Sequence, residues 1–114
     1  MQLEEAVISK ELLNEVLDKK IKDYFIKDNY IVYRLYGNLL DNKPKPIYIN
    51  IYELMHLMKE WALKQGYLLY SVPTICFIKT LSLEYIKEFS DVSTELDAVF
   101  KSTQYIYDKL QEAL

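Results

Sequence analysis

Breakers are scarce in this chain: 114 residues hold only 2 glycines and 3 prolines. Few positions are free to take left-handed backbone or to interrupt a hydrogen-bond ladder, so most of the sequence must run as helix or strand. The clearest such segment is "NIYELMHLMKEWALKQG", residues 50–66. Asn50 reads as an N-cap, with Glu53 three residues on completing a capping-box-like pair, and Gly66 supplies the left-handed stop. These signals bound a helix at 51–65. On a helical wheel Leu54, Met55, Leu57, Met58, Trp61 and Ala62 share one arc of roughly 160°. A methionine–tryptophan stripe at this spacing is core packing, not a cofactor box. Tyr52, Glu53, His56, Lys59, Glu60, Leu63 and Lys64 fall on the opposite arc.

Before it, Ser9 caps "KELLNEVLDKKIKDYFIK". Leu12, Leu13, Val16, Leu17, Ile21, Tyr24 and Phe25 fall in one arc, which predicts an amphipathic helix over 9–27. In "NYIVYRLYG" the period changes from 3.6 to 2. Ile31, Tyr33 and Leu35 take one face, Tyr30, Val32, Arg34 and Tyr36 the other, and the β-branched and aromatic content favours a strand. "DNKPKP" (Asp41 to Pro46) is the clearest loop, and "IYI" at 47–49 reads as a short strand pairing with the first as a hairpin. "YLLYSVPTICFIK" is β-rich but broken at Pro73, giving two short strands or one bent edge strand. Residues 82–89 read two ways: Ser82 as the cap of a short helix, or Leu83, Tyr85 and Phe89 as an alternating strand. Ser93 caps the last helix, whose stripe is Leu96, Val99, Phe100, Thr103, Ile106, Tyr107 and Leu110. No internal repeat or linker is visible. The order α-β-β-α-β-(β or short α)-α predicts one α+β domain over 1–114, with three helices packed on one face of a small, mainly antiparallel sheet.

Composition narrows the function classes. A net charge of −3 argues against a protein whose main task is gripping phosphate backbones, which usually carries a basic stripe. One cysteine, Cys76, allows neither an intramolecular disulfide nor a cysteine-based zinc site. No apolar run reaches the roughly 18 residues of a membrane span, and "MQLEEAVISK" places acids where a signal peptide needs positive charge. The expectation is a reduced, cytoplasmic setting.

The most tempting chemistry is Glu53-x-x-His56-x-x-x-Glu60, which sets two carboxylates beside the chain's one imidazole. Glu-x-x-His is the unit of di-iron helix bundles, but those need two such units, and a second histidine does not exist in this chain. Glu60 and Lys64 also form an ordinary i,i+4 pair on a solvated face. Cys76, among apolar neighbours, behaves as a small buried hydrophobe, and nothing around it resembles a nucleophile turn for a Cys76–His56 pair. There is no Gly-rich phosphate loop, G-x-S-x-G or H-E-x-x-H. No catalytic, metal or cofactor-binding residue is assigned, and the expectation is a non-enzyme without a cofactor.

Tyrosine is the unusual residue, with 11 in the chain. Tyr24, Tyr33 and Tyr107 fall on core stripes. Tyr30 and Tyr36 flank Arg34 on the polar face of a strand, with Tyr48 nearby. Tyrosine and arginine are enriched in binding hot spots, so Tyr30, Arg34, Tyr36 and Tyr48 form the candidate interaction surface. The plain alternative is that tyrosine suits half-buried strand positions.

Two segments, "INIYELMHLMKEWALKQGYLLYS" (49–71) and "STELDAVFKSTQYIYDKL" (93–110), resemble a pattern in small uncharacterised accessory proteins of phages and mobile elements. Together they cover about a third of the chain. The resemblance implies a compact accessory protein and a strand before Ser93, and it carries over no catalytic residue. The expected function is a small soluble protein-interaction module acting on a protein partner or on itself as a homodimer. A weak single-stranded nucleic-acid binder on the same tyrosine face is the alternative, and a metal-dependent enzyme around His56 the second alternative.

Overall fold

The computed structural model describes residues 8–36, 45–73, 75–90 and 94–113. They form three helices and two three-stranded antiparallel sheets, an α+β arrangement. The elements are α1 (Lys10–Leu17), β1 (Ile21–Lys27), β2 (Tyr30–Leu35), β3 (Ile47–Asn50), α2 (Ile51–Lys64), β4 (Tyr67–Val72), β5 (Ile75–Thr80), β6 (Tyr85–Phe89) and α3 (Glu95–Glu112). The first sheet is β1-β2-β3 and the second β4-β5-β6. A helix followed by three sequential strands therefore occurs twice, a repeat of topology that the sequence does not show. The expected single small sheet is two sheets, and the expected order, with four strands at most, is two short of the six: the Pro73 segment supplies two where the order has one, and one further strand stands where the periodicity predicts helix.

That strand comes out of the first helix. Ser9 caps α1 as expected, its Oγ accepting from the Leu12 amide at 3.1 Å. The helix stops at Leu17, however, where Asp18 turns left-handed at φ 53°. Asn14 secures the reversal: its carbonyl accepts from the Lys19 amide at 3.1 Å and its Oδ1 from the Ile21 amide at 2.8 Å. The periodicity misled for a specific reason. The β1–β2 register shifts between Ile21 and Asp23, a bulge that leaves Lys22 as the extra residue. Ile21, Tyr24 and Ile26 thus share the inner face, opposite Leu35, Tyr33 and Ile31. A spacing of three imitates a helix.

Other junctions follow local chemistry. β3 pairs with β2 as expected. Of the loop expected at 41–46, residues 41–44 lie outside the described residues. Asn50 ends β3 and caps α2, its Oδ1 accepting from the Tyr52 amide at 2.8 Å instead of the Glu53 amide of a full capping box. Gly66 ends α2 at φ 94°. The Pro73 segment is a hairpin of two strands, with Val72 opposite Ile75. Residues 85–89 form the strand β6, and Ser82 belongs to the turn before it. There Thr80 Oγ1 lies 3.0 Å from Ser82 Oγ and accepts from the Glu84 amide at 3.1 Å. Ser93 lies outside the described residues, and Thr94 caps α3 by accepting from the Asp97 amide at 3.0 Å.

The buried hydrophobic side chains, Val32 excepted, form one cluster. α2 contributes Ile51, Leu54, Met58, Trp61 and Ala62, and packs on α1, α3, β3 and β4. α3 buries its expected stripe through Ile106, plus Ala98 and Ser102, because it packs on α2 and on all three strands of the second sheet. Among the described residues no helix is long and apolar enough to cross a membrane.

Two substitutions test the turn chemistry. A Cβ on Gly66 would meet nothing within 4 Å, so Gly66→Ala loses only backbone comfort. It should lower unfolding free energy by about 1–2 kcal/mol in urea titration, with an unchanged m-value. Leu83 holds φ 69° with its side chain largely exposed, so Leu83→Asn should raise stability by about 0.5–1 kcal/mol in the same assay.

Candidate interaction surface

Ile21, Ile31, Tyr33 and Ile49 of the first sheet lie in the buried cluster, and the residues alternating with them make up the sheet's other face. Pairing builds that face in rows. Phe25 and Tyr48 flank Val32, Lys27 and Asn50 flank Tyr30, and Asp23 lies opposite Arg34. Phe25 is 54% exposed, Tyr30 43% and Tyr48 60%, while Val32 between them is 1% exposed. The rings are open to solvent while Val32, paired between Phe25 and Tyr48, is not. Tyr30 and Tyr48 meet edge to face, centroids 6.3 Å apart at 87°, the geometry that ring quadrupoles favour. With Lys27 and Asp28 they line a shallow depression of about 420 Å³.

The four residues expected at this surface divide into two groups. Tyr30 and Tyr48 are in contact. Arg34 lies four residues along β2 from Tyr30, about 13 Å at strand rise, and Tyr36 follows at the far end, its amide donating to the Lys20 carbonyl at 3.4 Å. Arg34 is not a free cation. Its Nε donates to Asp23 Oδ1 at 2.8 Å and its Nη2 to Asp23 Oδ2, a two-point ion pair across β1 and β2. That hydrogen-bonded guanidinium holds the Asp23 carboxyl below its ordinary range and raises Arg34 in turn. Phe25 was missing from the expected set because the helical reading placed it on a core stripe. A period of two from Asp23 through Phe25 to Lys27 was the available signal.

The other chemical candidates lie elsewhere. His56 is 70% exposed on α2, with Nε2 3.0 Å from Glu60 Oε1, and no group of three or more His, Cys, Asp or Glu among the described residues is arranged to hold a metal. Cys76 is fully buried on the inner face of β5, and burial pushes its thiol pKa up, away from the reactive thiolate. A constellation that sequence reasoning did not find lies between α2, β4 and α3. Lys59 Nζ donates to Ser71 Oγ at 2.6 Å, and Ser71 Oγ donates to Glu95 Oε1 at 2.6 Å. The serine proton points at a carboxylate and its lone pair at an ammonium, so the hydroxyl bridges an ion pair and ties three elements together. Its members are 12 and 24 residues apart, without a local pattern.

Replacing the bridge with Ser71→Ala should cost about 1–2 kcal/mol in denaturant unfolding, since it strips one partner from each of two charged groups. At the sheet, carboxyl NMR should find Asp23 titrating below the usual aspartate value of 3.8, with Arg34→Gln moving the midpoint up. The sign follows from a depressed folded-state pKa: the pair's contribution is present above the unfolded-state value and is lost as pH falls through the folded one. An Asp23 midpoint unmoved by Arg34→Gln would contradict the ion pair.

Comparison of the chain with protein-family models, with curated proteins and with solved structures found no match.

Proposed function

We propose that this chain is a non-enzymatic, cytoplasmic protein-interaction module whose contact surface is the outer face of the first sheet. The observation that carries the reading is the exposure of Phe25, Tyr30, Tyr36 and Tyr48 on a face whose arginine is already neutralised. At roughly 200 Å² per ring, Phe25, Tyr30 and Tyr48 together expose about 300 Å², and Tyr36 at the far end about 120 Å² more. The largest apolar patch on a typical monomer is about 300–600 Å² and is often functional. The shortest Cα dimension of the molecule, 19 Å, is what one helix layer over one sheet layer occupies. This supports helices on a single face and an open face opposite. The resemblance of residues 49–71 and 93–110 to phage and mobile-element proteins supports an accessory role.

Single-strand nucleic-acid binding is the second reading, supported by the adjoining Tyr30 and Tyr48 rings, on which bases would stack. The closed Asp23–Arg34 pair and the net charge of −3 weigh toward protein. A photo-crosslinking residue placed at Phe25 or Tyr48 in living cells should give protein adducts, while the same residue at Lys101, exposed on α3, should not. Equal yields at all three positions would remove the reading. Salt-sensitive oligonucleotide binding weakened by Tyr36→Ala would put the nucleic-acid reading in its place.

A further inference from the structure

We draw no further inference here: the strongest candidate, the acidic groove beside α1 lined by Glu11, Glu15, Asp18, Trp61 and Tyr107, carries nothing because exposed carboxylates alone select no ligand and the indole N–H of Trp61, without a hydrogen-bond partner among the described residues, is itself closed to solvent.

Discussion

Both sheets depend on the burial of α2. A three-stranded sheet has too little apolar face to stand in water uncovered, and this chain holds two of them side by side in sequence. α2 leaves β3 at Asn50 and enters β4 at Gly66 with no linker at either end. Ile51, Leu54, Met58 and Ala62 are fully buried, and the helix packs on β3, β4, α1 and α3. Trp61 extends the contact toward α3, with its ring 6.4 Å from Tyr107. Because one helix serves both sheets, a shift of its axis is felt in every layer, and the Lys59–Ser71–Glu95 bridge opposes such a shift with directional bonds where the core offers only non-directional packing.

The two sheets differ in what they leave open. The outer face of the second sheet carries Leu68, Tyr70, Val72, Ile75, Phe77 and Tyr85; Tyr70 and Tyr85 are mostly exposed, at 57% and 58%, and the Tyr70 ring lies 6.4 Å from Phe77. Leu68, Val72, Ile75 and Phe77 are half-buried there. On the first sheet Val32 is buried and the rings around it are exposed. Tyrosine content therefore is not the property that marks the contact face. What marks it is the set of exposed rings, Phe25, Tyr30, Tyr36 and Tyr48, beside an ion pair that has neutralised itself.

Sequence reasoning was sound at α2 and β2, where the determinant lay within one turn or one strand. Asn50 and Gly66 bound α2 because caps are local hydrogen-bond and dihedral effects. The β2 alternation separated Tyr30 and Arg34 from Ile31 and Tyr33 because a strand has a strict period of two. Reasoning failed at Ile21 to Lys27 because a bulge disguised one period as another, and Phe25 was lost from the candidate site with it. The ambiguity at residues 82–89 was real at the local level. Leu83 accepts a left-handed backbone that its own side chain disfavours, and the turn from Thr80 to Glu84 holds it while β6 pairs with β5.

By itself the sequence determined the α+β class, the span of α2, the stripe of α3 and the candidacy of Tyr30, Arg34, Tyr36 and Tyr48, because periodicity and capping depend on neighbours a few residues away. Tertiary structure alone decided that residues 21–27 leave the first helix, that the strands divide into two sheets, and that Arg34 is bound by Asp23 while Phe25 joins the exposed rings. Each of these turns on strand pairing, which brings together residues whose spacing in the chain carries no record of the contact.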